Sequence, residues 1–203
     1  MKKLTLLYIC LIVVSQLCIG QRKKMFLGFD YIPAVATEFN SASTENNIFR
    51  FSSSFGLNIY HKLSHSPLYI EYGLYTIDRG YGYTVKVINP NGQLFGKYRR
   101  KTHQYYLSLP LQLGFKVNNF YLDFGPSFNY LIAQRIKHDK KVINDPPEKT
   151  ASIGVGSNLS FGMNYTPRRN QGIKYIVGLY GNYLFKPQYL NAGIKFGIKL
   201  RLK

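Results

Sequence analysis

Residues 105–117 place the strongest constraint on the fold, because their side chains alternate strictly between two kinds over thirteen positions. The odd positions are large and apolar: Tyr105, Leu107, Leu109, Leu111, Leu113, Phe115 and Val117. The even positions are small or polar: Tyr106, Ser108, Pro110, Gln112, Gly114 and Lys116. Successive side chains of a β-strand point to opposite faces, so this pattern predicts a strand between two different environments.

The small and polar row indicates which environment lies on which side. Gly, Ser, Gln and Lys would leave holes and unpaired charge in a dry protein core, whereas they suit the hydrated interior of a small barrel. The apolar row must then face outward. On a water-soluble protein such a surface would aggregate, but a strand in a lipid bilayer requires it.

Seven further segments show the same alternation, some of them less regularly. They are residues 25–35, 49–60, 68–77, 120–130, 153–165, 173–184 and 193–202. A tilted transmembrane strand needs roughly 9 to 11 residues, which these segments supply. The total of eight is even, as closure of an antiparallel barrel requires. The sequence therefore predicts an all-β fold, an eight-stranded antiparallel up-and-down transmembrane β-barrel.

The predicted connections differ between the two ends of the barrel. Three are short: residues 61–67, 118–119 and 166–172. The other four include the two longest: residues 36–47, 78–102, 135–150 and 185–189. Bacterial barrels have short periplasmic turns and longer extracellular loops, so the second set is predicted to lie outside the cell.

The first twenty residues have the features of a secretory signal peptide. Lys2 and Lys3 precede an apolar run at residues 4–14, and the small Gly20 stands before Gln21. We expect a signal peptide at residues 1–20 and one barrel domain at residues 21–203. Lipidation at Cys18 is the alternative, but the residue before it is a bulky leucine. Cleavage would remove both cysteines and with them any thiol chemistry.

The formal charge of +18 falls to about +16 without the signal peptide, which by itself would suggest a nucleic-acid partner. No nucleic-acid-binding motif accompanies it. Instead, many cations fall in the predicted outer loops: Lys97, Arg99, Arg100, Lys101, Lys137, Lys140 and Lys141. Basic segments at a membrane surface attract anionic head groups, so outer-membrane lipid and lipopolysaccharide are the predicted partners, unless these loops are merely solvated.

A second set of charged residues is predicted to point into the barrel lumen. It comprises Asp30, Arg50, Glu71, Lys116, Asp123, Lys174, Lys195, Lys199 and Arg201. Opposite charges inside a barrel of eight strands are expected to neutralise one another and to fill the interior, which leaves no open pore. We interpret this lumen charge network as structural.

No catalytic, cofactor-binding or metal-binding set emerges from the sequence. Of the four histidines, only His103 falls at an outer strand end where a lipid-modifying enzyme would need its base. His61 and His65 share a predicted turn, but two ligands without a third make a weak metal signal. His138 falls in a predicted outer loop. No cofactor is therefore expected.

Several short motifs resemble the PorT-type outer-membrane β-barrel family of Bacteroidota. They are YLSLPLQL at residues 106–113, Gly125-Pro126 and Tyr130-Leu131 in the next strand, and IEYGLY at residues 70–75 followed by Gly80. The resemblance implies an integral outer-membrane barrel without established catalytic residues, and the namesake member takes part in type IX secretion. One departure is the C-terminal Leu200-Arg201-Leu202-Lys203, where many such barrels end on an aromatic residue.

These observations predict a protein of the Gram-negative outer membrane, cleaved from its signal peptide and not an enzyme. Its role would be structural, secretion-accessory or surface-interacting, with other outer-membrane or secretion proteins as further partners. The alternatives are a lipid-modifying outer-membrane enzyme and a secreted, lipocalin-like carrier of an apolar ligand.

Overall fold

The computed structural model describes residues 25–38, 49–63, 66–88, 90, 92, 94–138, 141–143, 153–168, 172–186 and 188–202. The predicted signal peptide lies outside them. The strands are β1 (Met25–Glu38), β2 (Arg50–Lys62), β3 (Leu68–Ile88), β4 (Leu94–Val117), β5 (Phe120–His138), β6 (Lys141–Ile143), β7 (Ile153–Tyr165), β8 (Ile173–Leu184) and β9 (Tyr189–Arg201). No helix among these residues is long and apolar enough to cross a membrane.

Eight of the strands form a closed antiparallel barrel. The order in the sheet is β4-β3-β2-β1-β9-β8-β7-β5-β6, and the additional pairing of β4 with β5 joins the two ends. The short β6 pairs only with the end of β5 and lies outside the ring. The first and last long strands meet from Phe26↔Arg201 to Glu38↔Tyr189. The predicted fold class, an eight-stranded antiparallel up-and-down barrel, is confirmed.

An apolar belt covers the outward face of the barrel, as the alternation predicts. Large apolar side chains from every part of the ring are between 39% and 57% exposed: Phe29, Phe55, Leu57, Leu74, Leu111, Leu113, Phe124, Phe128, Leu159, Phe161, Leu179 and Ile198. Between two of them, the polar side chain of Gln112 is only 3% exposed. The polar row is therefore the interior of this molecule and the apolar row its surface.

The two ends of the barrel differ in the length of their connections. We call the end with the turns at residues 63–67, 118–119 and 166–172 the turn end, and the opposite end the hairpin end. Asn118 closes the tightest turn with a φ of 52°, a conformation that asparagine tolerates better than most residues. At the hairpin end, β3 and β4 continue to pair from Asp78↔Tyr105 to Ile88↔Leu94, and β5 accompanies β4 as far as Arg100↔His138.

The prediction of irregular outer loops is wrong for two segments. Residues 78–102 are mostly strand, since β3 runs to Ile88 and β4 begins at Leu94, and residues 135–150 contain the end of β5 and all of β6. The rows that are apolar in the belt carry no large apolar residue at the even positions of 78–86 or the odd positions of 97–103, so the pattern that predicts the other strands is missing here. The remaining signal is the high content of Tyr, Thr and Val at residues 81–87, which favours strands.

A β-bulge interrupts the pairing of β4 with β5 near the hairpin end. Tyr106 pairs with Leu131 and Tyr105 pairs with Ala133, so Ile132 is the extra residue. Ile132 and Ala133 are both exposed, although they are consecutive in a strand. The bulge therefore reverses the alternation, so that Arg135 is exposed and Ile136 is buried.

Charge in the middle of the belt is expected to block insertion into lipid. An arginine at the bilayer midplane costs about 2–4 kcal/mol, whereas near an interface it costs roughly 0–1 kcal/mol. We expect Leu111→Arg to lower the urea concentration at which the barrel unfolds from vesicles, measured by its heat-shifted band on SDS gels. The matched control Val117→Arg, at the edge of the belt, should unfold near the wild-type concentration. Equal effects of the two variants would contradict a lipid-facing belt.

Candidate functional site

A cluster of buried charges lies in the turn-end half of the lumen. Lys195 Nζ of β9 donates to Glu71 Oε1 of β3 at 2.9 Å and lies 3.1 Å from Asp30 Oδ2 of β1. Lys199 Nζ donates to Glu71 Oε2 at 2.5 Å. The side chains of Asp30, Glu71 and Lys195 are at most 2% exposed. Charges this deeply buried are tolerated only when they are paired.

Neutral groups satisfy further oxygens of the same cluster. Asn58 Nδ2 of β2 lies 2.6 Å from Asp30 Oδ2 and 3.1 Å from Glu71 Oε1. The Tyr75 hydroxyl donates to Asp30 Oδ2 at 2.5 Å. The cluster thus joins β1, β2, β3 and β9, and it spans the seam where the first and last strands of the ring meet. The contacts of this network link those four strands in one register.

Asp123 of β5 extends the network across the lumen through hydroxyl groups. The Tyr69 hydroxyl donates to Asp123 Oδ1, and Ser160 Oγ of β7 donates to Asp123 Oδ2 at 3.0 Å. Lys199 Nζ lies 4.4 Å from the centre of the Tyr60 ring and 5.8 Å from that of Tyr69, so cation–π contacts also stabilise this ammonium.

The rings of two of these tyrosines occupy space that glycine leaves on the neighbouring strand. Tyr75 pairs with Gly56, and Tyr69 pairs with Gly114. A Cβ atom on either glycine would overlap the tyrosine ring, so any other residue would force the ring away from the barrel wall. The glycines of the polar row therefore direct the tyrosine hydroxyls toward Asp30 and Asp123.

Four other residues predicted for the lumen lie near its ends. Lys116 is half-buried at the turn end, and Lys174 Nζ lies 3.8 Å from the centre of the Phe26 ring. Arg201 is exposed where β9 ends, contrary to its expected place in the network, because the barrel wall no longer encloses that position. Arg50 lies at the hairpin end, and its guanidinium contacts Asp78 and His103 of the outward rows, so its predicted place inside the lumen is wrong. The structure thus brings together Asp30, Glu71, Lys195 and Lys199, with Asp123 linked through Tyr69.

Arg79 is a lumen residue that the sequence analysis missed. Its side chain is fully buried, and Nη2 donates to Asn129 Oδ1 of β5 at 3.2 Å and to Asn182 Oδ1 of β8. Its guanidinium carbon lies 5.1 Å from the centre of the Tyr106 ring. The period-two alternation of β3 already places Arg79 inward, two positions after Ile77. Arg79 was overlooked because the predicted strand ended at residue 77.

A second charged cluster lies at the hairpin end. Arg50 Nη2 donates to Asp78 Oδ2 at 2.7 Å, and Arg50 Nη1 donates to the carbonyl oxygens of Arg79 at 3.2 Å and Thr102 at 3.4 Å. The guanidinium passes directly over Gly80, where a Cβ atom would collide with it. Arg50 therefore bonds to both β3 and β4, beyond the last pairing of β2 with β3 at Ser54↔Ile77.

His103 borders this second cluster, and its contacts bear on the enzyme alternative. Its Nδ1 contacts Arg50 Nη2 and lies 3.8 Å from Asp78 Oδ2. Arginine only donates hydrogen bonds, so this contact occupies the Nδ1 lone pair. To act as a general base through Nδ1, His103 would have to give up its contact with Arg50.

The remaining histidines form no metal centre within the part of the chain that the structure describes. No group of three His, Cys, Asp or Glu residues there is arranged to hold a metal ion. His61 is fully buried at the end of β2, His138 is the last residue of β5, and His65 lies outside the described residues.

The cations predicted for outer loops lie mainly in strands. Lys97, Arg99, Arg100 and Lys101 belong to β4, Lys137 to β5 and Lys141 to β6, while Lys140 lies outside the described residues. The prediction of irregular loops is wrong at these positions because the ladder of β3, β4 and β5 continues above the belt. Lys101 pairs with Gly82 on one side and Lys137 on the other.

Removing one member of the buried cluster is expected to destabilise the barrel strongly. Lys195→Met leaves Asp30 and Glu71 buried without their shared partner, a change that typically costs about 3–5 kcal/mol. Urea unfolding of the vesicle-inserted protein measures this loss. Arg201→Met removes an exposed cation from the same strand and should leave the unfolding midpoint nearly unchanged. Wild-type stability of Lys195→Met would contradict the role assigned to the cluster.

Known proteins share the fold of this chain without close sequence similarity. No family model matches it, and no curated protein sequence is significantly similar. Among solved structures, the attachment invasion locus protein Ail of Yersinia pestis is similar with a TM-score of 0.54 and 10% identity, covering 90% of this chain and 100% of that one. Neisserial surface protein A gives a TM-score of 0.46 and 10% identity, over 88% and 97% of the two chains. The chain therefore has the fold of the outer-membrane β-barrel Ail.

Proposed function

We propose that this chain is an integral, non-enzymatic protein of the Gram-negative outer membrane, with a structural or surface-interaction role. The observation that carries the proposal is the apolar belt around a closed barrel whose polar row faces inward. Exposed apolar surface of this extent is unfavourable in water and favourable in a bilayer. A signal peptide at residues 1–20 would direct the chain to this membrane.

The contents of the lumen argue against a carrier of apolar ligands. A lipocalin-like protein needs an apolar cavity inside its barrel. In this chain, Asp30, Glu71 and Lys195 meet there and are almost fully buried. An apolar molecule in the same space would have to separate these paired charges, which is strongly unfavourable. The filled lumen also disfavours a role as a solute pore.

The geometry at His103 disfavours the lipid-modifying enzyme. Such an enzyme needs a base with a free lone pair next to its nucleophile. The Nδ1 atom of His103 accepts from Arg50, and Arg50 also binds Asp78. This arrangement resembles a structural ion pair that ties β2 to β3 and β4.

Outer-membrane localisation is expected to be measurable directly. The mature protein should remain with outer membranes after carbonate extraction and should migrate faster on SDS gels before heating than after. Both properties follow from a barrel that is inserted in lipid and resists SDS. Recovery in the soluble periplasmic fraction, without a heat-dependent shift, would falsify the proposal.

A secretion-accessory role is the second candidate, and the resemblance to PorT-type barrels supports it. If this chain serves type IX secretion, a deletion strain should retain type IX cargo in the periplasm. Immunodetection of the cargo on intact cells measures the export, with a plasmid-borne copy as the control. Normal display of cargo in the deletion strain would exclude this role and would leave the structural or surface-interaction role.

A further inference from the structure

A patch of cations faces outward immediately above the apolar belt on β4 and β5. Tyr105 is the last belt residue of β4, and the next outward positions along the strand are His103 and Lys101. Lys101 is exposed, while His103 is partly covered by Arg50. Residues two and four positions beyond the belt lie at the level where lipid head groups meet the hydrocarbon layer.

The bulge in β5 brings Arg135 into the same patch. Without the extra residue Ile132, the alternation of β5 would turn position 135 into the lumen. With it, Arg135 is exposed and pairs directly with His103. Because Lys101 pairs with Lys137, Arg135 is the diagonal neighbour of Lys101. Such diagonal pairs lie about 7–8 Å apart, which two long side chains can span to hold one anionic group.

The surroundings of the patch leave it positively charged and accessible. On the β3 side, the residue opposite Lys101 is Gly82, and the residue opposite His103 is Gly80, over which the Arg50 guanidinium lies. Asp78 is the nearby carboxylate among the described residues, and its Oδ2 already accepts from Arg50 at 2.7 Å. Arg50 therefore neutralises the acid that would otherwise pair with the exposed cations.

We propose that Lys101 and Arg135 bind a phosphate group of lipopolysaccharide in the outer leaflet. The inference rests on the proposed outer-membrane location and goes beyond it by naming the lipid group and the residues. Arginine binds phosphate with two parallel hydrogen bonds, and lysine adds a mobile point charge. The patch meets the outward belt without a break, so a lipid whose acyl chains lie on Leu107 and Leu109 would present its head group here.

The experiment compares lipopolysaccharide bound per barrel in nanodiscs. Wild type, the double variant Lys101→Gln/Arg135→Gln and the control Lys186→Gln/Arg168→Gln are each reconstituted with phosphatidylethanolamine and limiting lipopolysaccharide. Lys186 and Arg168 are also exposed but lie away from the patch. Native mass spectrometry counts the bound lipopolysaccharide, and the heat-shifted SDS band reports folding. Enzymatically dephosphorylated lipopolysaccharide and phosphatidylglycerol serve as alternative lipids.

We expect the double variant to bind lipopolysaccharide about thirty-fold more weakly than wild type, since each cation near a charged membrane surface contributes a factor of about five. The control variant should bind as wild type does, and Arg135→Lys should retain most of the affinity. Dephosphorylated lipopolysaccharide should bind wild type as weakly as intact lipopolysaccharide binds the double variant.

Unchanged affinity of a folded double variant, or equal binding of the dephosphorylated lipid, would overturn the inference. So would equal binding of phosphatidylglycerol, which would show that any anionic lipid suffices. In each of these cases the inserted, heat-shifted barrel still supports the proposed location. If wild type itself fails to insert, both the location and the lipid site are wrong.

Discussion

The pairing of buried charges between β9 and the strands β1 and β3 is the interaction on which the rest of this barrel depends. Lys195 touches both Asp30 and Glu71, and none of these side chains is more than 2% exposed. Each charge is stable in the interior only because the others offset it. The same contacts cross the seam that closes the ring, so electrostatic neutrality and barrel closure depend on one set of atoms.

The filling of the lumen also determines what the outside of the barrel can be. Tyrosine rings lie over glycines of neighbouring strands and donate to buried carboxylates, as Tyr69 does to Asp123. Buried carboxylates thereby find hydrogen-bond donors inside the ring rather than at its surface. The outward rows of the eight long strands are then free to be apolar, a surface that suits lipid better than water. The interior chemistry therefore supports the proposed membrane location.

Sequence alone predicted the elements in which two different environments impose a period of two. The alternation of β4, and its assignment of Gln112 inward and Leu111 outward, needed only the residue types. The prediction failed above the belt, where the apolar rows of β3 and β4 are replaced by polar residues and glycine. The strands nevertheless continue to Ile88 and from Leu94.

The sequence also could not show which lumen side chains contact each other. Glu71 and Lys195 were both predicted to face the lumen, but their contact joins positions 124 residues apart, and only the register of the intervening strands determines it. The outward position of Arg135 depends on the extra residue Ile132. The alternation of apolar and polar residues in β5 does not reveal where such a bulge lies. Arg79 was missed for a simpler reason, because the predicted strand stopped at residue 77, two residues before it, whereas β3 continues to Ile88.

The location of both clustered lysines on β9 has a consequence for the order of assembly. The carboxylates of β1 and β3 precede them along the chain, so a ring that still lacks β9 contains acids with no ammonium to offset them. Such an intermediate cannot exclude water from its interior at low energetic cost. The addition of β9 therefore closes the barrel, neutralises the buried acids and excludes water from the lumen in a single step. A barrel that still lacks β9 differs from a complete one in both the charge and the hydration of its interior.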